Sequence, residues 1–130
     1  MTKRINLKII SNFYACDRLD ELEYIPILEN GNIDYWKASE LLCEKDGGRL
    51  PTMKELVEIT SYIYQKEKHK FEDNYNLDIK NKLLSSDYYW SSSESSPTTA
   101  YYRGFYSDGS YWGRYGNRSC SRVKSLCVGG

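Results

Sequence analysis

Apolar and polar residues change their spacing twice along this chain. Near the N-terminus INLKII (Ile5–Ile10) predicts a strand, and YIPIL (Tyr24–Leu28) predicts a second one interrupted by Pro26. From Asp34 the period lengthens to that of a helix. Trp36, Ser39/Glu40 and Cys43 share one face, with Tyr35, Ala38 and Leu42 beside it. Asp34 is placed to cap this helix, and Gly47-Gly48 to end it, because glycine accepts the left-handed geometry of a helix terminus. Thr52-Met53-Lys54-Glu55 then reads as a capping box: the Thr52 hydroxyl accepts from the Glu55 N–H, and the Glu55 carboxylate reaches back to the Thr52 N–H. Leu56, Ile59/Thr60 and Ile63 form the apolar stripe of this second helix, which is expected to run to about Lys66. Residues 66–87 are charged and Asn-rich. Leu77, Ile79, Leu83 and Leu84 predict a short pinned turn or helix inside that long connection.

After Asp87 the pattern shortens again. YYWSSSE (Tyr88–Glu94), Ala100–Ser107, Ser110–Tyr115 and SRVKSLCV (Ser121–Val128) predict short strands, with SSPTT turning between the first two. Helices in the middle and strands at the end point to an α+β domain. The stretch YRGFYSDGSYWGRY (Tyr102–Tyr115) is nearly a mirror image about Asp108-Gly109. Asp-Gly predicts a two-residue hairpin turn, which places the mirrored residues opposite each other. One face would then carry Tyr102–Tyr115, Gly104–Gly113 and Tyr106–Tyr111. The other would carry Arg103–Arg114, Phe105–Trp112 and Ser107–Ser110. Phe105 and Trp112 are the least polar pair and are expected to point inward, leaving the tyrosines exposed and the two arginines in need of a partner between them. Exposed tyrosine among glycine and serine suits binding, since each ring supplies contact area at small entropic cost. Matched aromatic pairs also stabilise a hairpin without any ligand.

Composition narrows the function. The 130 residues carry 18 basic and 18 acidic side chains, so nothing in the net charge favours nucleic acid or an anionic membrane. No apolar run has the length of a bilayer span. The N-terminal apolar patch is short and interrupted by Asn6, Lys8, Ser11 and Asn12, which reads as no signal peptide. A cytoplasmic protein is the direct reading; a secreted or virion-surface one requires a removed signal or another export route. Four cysteines, Cys16, Cys43, Cys120 and Cys127, can pair in three ways. Free, largely buried thiols are the plainer reading, and a disulfide stays open. With one histidine and no CxxC, a closed zinc site is not expected, and no metal or cofactor is called for. His69 sits in the charge run KEKHKFED, Ser91–Ser93 lack a base and a nucleophile elbow, and Glu94 reads as a structural residue of its strand. No catalytic constellation emerges.

Three segments carry a resemblance: WKASELLCEKDGGRLPTMKEL (Trp36–Leu56), YWSSSE (Tyr89–Glu94) and AYYRGFYSDG (Ala100–Gly109), followed by a last strand ending in Leu126-Cys127-Val128. Together they resemble the bacterial C-type-lectin-like domains found at the C-terminus of a collagen-like adhesin and in the "major paralogous domain" family. The likeness covers about residues 34–128 of a single domain spanning 1–130, and leaves out residues 1–31. It implies a C-type-lectin-like fold, with two helices packed on a twisted antiparallel sheet and a long irregular loop. It also implies that Cys43 and Cys127 lie close together as a helix-to-last-strand pair, leaving Cys16 and Cys120 without partners. Trp36, Thr52, Glu55, Trp90, Phe105 and Trp112 take structural roles in this reading.

Functions of the fold are mostly binding, and variable proteins of diversity-generating retroelements place their binding residues on these same C-terminal strands. Calcium-dependent sugar sites of true C-type lectins use Glu-Pro-Asn or Gln-Pro-Asp with a later Trp-Asn-Asp. This chain has neither, so binding is expected to be calcium-independent. The fold also hosts formylglycine-generating oxidases with a reactive cysteine pair; Cys120 and Cys127 are the candidates for it here, and no other part of that signature is present. The reading adopted is a non-enzymatic module that meets a glycan or surface receptor through Tyr102, Tyr106, Tyr111 and Tyr115, with Arg103, Arg114 and Arg118 at the edge. The alternative is an intracellular, phage- or mobile-element-encoded protein-binding or inhibitor module that uses the same face. The oligomeric state is not legible.

Overall fold

The computed structural model describes residues 5–64, 75–78, 87–105 and 111–129, with side chains over 7–59, 87–104 and 113–129. β1 (Ile5–Phe13) leads through two single-turn segments, Ala15–Asp17 and Leu19–Glu21, to α1 (Tyr35–Lys45) and α2 (Met53–Tyr64). β2 (Tyr75–Asp78), β3 (Asp87–Ser96), β4 (Thr99–Phe105), β5 (Tyr111–Asn117) and β6 (Ser125–Gly129) follow. The class is α+β, with two helices and mainly antiparallel strands.

The strands divide into two three-stranded sheets, β2-β1-β6 and β3-β4-β5. Lys124 joins them through two backbone bonds: Trp90 N donates to Lys124 O, and Lys124 N donates to Tyr88 O. β1 and β2 run parallel, while β1 and β6, near the two ends of the chain, run antiparallel. Leu77 therefore lies in a strand and not in a turn or helix; a short segment completes its backbone hydrogen bonds most cheaply by adding to the edge of β1. Ile79, Leu83, Leu84, His69 and the residues just after Tyr64 lie outside the described residues. Tyr24–Leu28 is no strand either. Only Ile27 makes a bridge, to Ile33, and Pro26, which has no N–H to give a ladder, offers its carbonyl to Asp34 N.

The stretch from Gly47 to Glu55 folds as its local chemistry dictates. Gly47, at φ +88°, ends α1 in the left-handed region. At Gly48 an added Cβ would fall 2.7 Å from the Val128 carbonyl oxygen, so only glycine lets this turn lie against β6. Arg49 can then exchange two backbone bonds with Val128 and clamp Glu55 through both carboxylate oxygens, at 2.6 and 2.7 Å. The capping box forms as expected: Thr52 N donates to Glu55 Oε1 at 2.8 Å, and Glu55 N to Thr52 Oγ1 at 3.1 Å.

Cys43 and Cys127 are joined in a disulfide with Cα atoms 5.2 Å apart, and Cys16 and Cys120 are free. The expectation of four buried free thiols is thus corrected. α1 packs on β6 and brings the pair into bonding range, while Cys16 is exposed and Cys120 partly so. The bond closes a sequence separation of 84 residues, worth about 4.5 kcal/mol on the chain-entropy account. Around it lie Trp36, Leu50, Trp90 and Ala100, and a second cluster of Leu7, Ile9, Leu56, Ile59, Tyr89 and Leu126 forms where α2 meets both sheets.

One charge is misplaced in this interior. Glu58 is 1 % exposed, neither carboxylate oxygen has a hydrogen-bond partner among the described residues, and its pKa is pushed up to about 7 by burial, with Lys54 opposing and Glu55 adding. Because the folded-state value is raised, the group supports folding fully below the ordinary carboxylate range, and that support is lost as pH rises to about 7. Glu58→Gln should therefore raise the melting temperature by several degrees at about pH 8 and by much less at about pH 4, a comparison read directly from thermal melts. Equal shifts at both values would show that Glu58 ionises freely in the fold.

Candidate functional site

The β4–β5 register differs by one residue from the mirror expectation. Tyr101 pairs with Tyr115, Tyr102 with Arg114, Arg103 with Gly113, Gly104 with Trp112, and Phe105 with Tyr111. The Asp108-Gly109 turn, Tyr106, Ser107 and Ser110 lie outside the described residues, as do the side chains of Phe105, Tyr111 and Trp112. A shift of one residue moves a strand's whole set of side chains to the opposite face. No arginine faces an arginine, Phe105 and Trp112 are not opposed, and the four-tyrosine surface with a glycine floor does not form.

The reason lies in where two rings rest. Tyr88 pairs with Gly104, and a Cβ on Gly104 would fall 2.2 Å from the Tyr88 ring. A Cβ on Gly116 would fall 2.9 Å from the Tyr102 ring. Gly116 shares a face with Tyr102 only when Tyr102 pairs with Arg114; the mirror register would turn it to the other side. Two glycines thus seat two rings, the Tyr88 ring within the β3–β4 pair and the Tyr102 ring across β4 and β5, and the second seat fits only the observed β4–β5 register. β3 makes room in its own way. Between Trp90 and Glu94 its pairing with β4 slips, and the serines of YWSSSE fill the irregularity. Ser91 Oγ donates to Tyr101 O at 2.9 Å and accepts from Ser93 N, while Ser92 N donates to Pro51 O.

The expected ligand-binding residues therefore separate. Tyr102 is half-buried and packs edge-on to Tyr88 and Trp90, with ring centroids at 5.5 and 6.0 Å. Burial pushes its phenol pKa up, with Arg114 opposing. Tyr115 is on the opposite face, 55 % exposed, with Tyr101 (38 % exposed) as its cross-strand partner, rings 6.1 Å apart at 78°. Arg114 is exposed on the same strand, the outer one of its sheet among the described strands. Arg103 is not at an edge: it is buried on the Tyr101 face, opposite Gly113, which lies against Met53 of α2.

Arg118 is buried as well. Its guanidinium pairs with Asp34 through Nε (3.1 Å to Oδ1) and Nη2, stacks 4.5 Å from the Trp36 ring, and lies 3.5 Å from Glu94. Asp34 also caps α1 by accepting from Lys37 N at 3.0 Å, and Arg118 O accepts from Tyr35 N. Arg118 is thus the device that ties the β5–β6 loop to the start of α1. Trp36 takes its expected structural place, donating from Nε1 to Ser91 O at 2.8 Å, and Trp90 is fully buried. The Arg118–Asp34 pair opens onto a cleft of about 570 Å³ lined by Trp36, Glu40 and Glu94, with exposed Tyr24, Ile25 and Ile27 on its rim. Its charges are already matched, Lys37 with Glu40 and Arg118 with Asp34 and Glu94.

Sequence reasoning missed Tyr101, because the mirror left it out, and Tyr88, because nothing local pairs it with Gly104. The signal available was ring-and-glycine complementarity across strands in place of ring-and-ring symmetry. Among the described residues no group of three or more His, Cys, Asp and Glu side chains is placed to hold a metal, and no helix is long and apolar enough to cross a membrane. A scan against protein-family models and a search of curated proteins each found no match for this chain.

Asp34→Ala strands the Arg118 charge in a buried site and removes the α1 cap together. It should lower stability by about 3–5 kcal/mol in urea denaturation, far more than Lys37→Ala at the exposed neighbouring pair. Similar losses for both variants would contradict the structural role assigned to Arg118.

Proposed function

We propose that the chain is a non-enzymatic, calcium-independent binding module of C-type-lectin-like fold that meets a glycan on the Tyr101–Tyr115 face. The fold assignment is supported by the pairing of β1 with β6, the α1-to-β6 disulfide, and the placement of GGRLPT and YWSSSE at the junctions between helices and sheets. The exposed cross-strand pair Tyr101–Tyr115 carries the functional reading. Two large rings held nearly perpendicular on a rigid sheet form a corner in which the C–H face of a sugar stacks on one ring and meets the edge of the other. The disulfide supports action in an oxidising setting, outside a reducing cytoplasm. The oxidase alternative rests on Cys120 and Cys127, and Cys127 is bonded to Cys43.

The reading is tested by glycan-array screening followed by titration of the best ligand. Tyr115→Ala should weaken binding at least about tenfold and move the melting temperature by no more than about 2 °C, since the ring is largely exposed. Binding should be unchanged in EDTA. Full glycan affinity in Tyr115→Ala, or a silent array, would overturn it; a silent array with capture of a protein lost in Tyr115→Ala would favour the protein-partner reading of the same face.

A further inference from the structure

The other face of the β3–β4–β5 sheet carries an opening with different chemistry. Tyr88, Trp90 and Tyr102 wall a pocket of about 380 Å³, and Val123, Cys120 and Arg122 complete most of its lining. That volume lies within the range of small-molecule sites, roughly 300–1,000 Å³. The pocket lies on the face where the Tyr88 and Tyr102 rings occupy the space over Gly104 and Gly116. Each of Tyr88 and Trp90 meets Tyr102 at close to a right angle, 84° and 89°.

The polar groups around these rings are donors in search of acceptors. Arg122 is exposed and has no carboxylate partner among the described residues, in contrast to Arg118 in the neighbouring cleft, which has two. No acidic side chain lines the pocket. The Cys120 thiol is free, and the buried Trp90 Nε1–H has no acceptor among the described residues. Three aromatic walls alone would also suit an ammonium group, but an unpaired guanidinium at the same opening repels one.

We infer that this pocket binds a small flat aromatic or conjugated molecule bearing a carboxylate. Its ring system packs against the half-buried Tyr88 and Tyr102, and its carboxylate pairs with Arg122. The site is on the opposite side of the sheet from Tyr101 and Tyr115 and does not depend on the glycan reading.

The test compares three probes of one shape by calorimetric titration: 2-naphthoate, 2-naphthylmethanol and (2-naphthylmethyl)trimethylammonium. The naphthoate should bind at least about tenfold more tightly than the alcohol, and Arg122→Gln, a change at an exposed side chain, should abolish that difference. Saturating naphthoate should also slow alkylation of Cys120 severalfold, followed by mass spectrometry, while the exposed Cys16 reacts at its usual rate and serves as the internal control. The inference is overturned if the alcohol or the ammonium probe binds as tightly as the naphthoate, if the naphthoate preference survives Arg122→Gln, if binding leaves Cys120 unprotected, or if no probe binds at millimolar concentration.

Discussion

Gly104 and Gly116 have no Cβ, and the rings of Tyr88 and Tyr102 lie where those atoms would be. Close packing makes this a strong constraint, since a methyl group at either place would have to displace a ring. The Tyr88–Gly104 contact follows from the pairing of β3 with β4, and the Tyr102–Gly116 contact holds only in one register of β4 against β5. That register then sorts every described side chain of the sheet. Tyr102 and Trp90 go to one face with a pocket above them, and Tyr101 and Tyr115 go to the other with solvent in front.

The remaining structure holds this sheet in place from two sides. α2 presses Met53 toward Gly113 beside the buried Arg103, so the inner part of the Tyr101 face is covered and its outer part is open. α1 is tied to the sheet by Trp36 on Ser91, by Asp34 on Arg118 and by the disulfide to β6. Each of these ties reaches an element far away in sequence, and together they make a rigid scaffold for both aromatic faces. Glu58 stands apart as a cost the fold carries without a described partner.

How much of this could be read beforehand depends on how local its causes are. The span from Asp34 to Glu55 was legible almost residue by residue, because a helix cap, a positive-φ glycine and a capping box each find their partners within a few positions. The strands from Tyr88 onward were legible as strands. Their register was not: the symmetry of YRGFYSDGSYWGRY and the Asp-Gly signal favour one pairing, and the seating of the Tyr102 ring of β4 on Gly116 of β5 overrides it. Arg118 was misread for the same reason. Its partner Asp34 is 84 residues away, and nothing near Arg118 in the sequence announces a buried ion pair. The parallel pairing of Tyr75–Asp78 with β1 likewise has no local signature.

The account as a whole turns on that register, and nuclear magnetic resonance reads it without any ligand. In a uniformly labelled sample, cross-strand backbone NOEs should connect Tyr101 with Tyr115 and Tyr102 with Arg114, and Tyr102 ring protons should contact the Gly116 α-protons. NOEs connecting Tyr102 with Tyr115 and Arg103 with Arg114, with the Tyr102 ring remote from Gly116, would return the four tyrosines to one face and remove the basis for two separate aromatic surfaces.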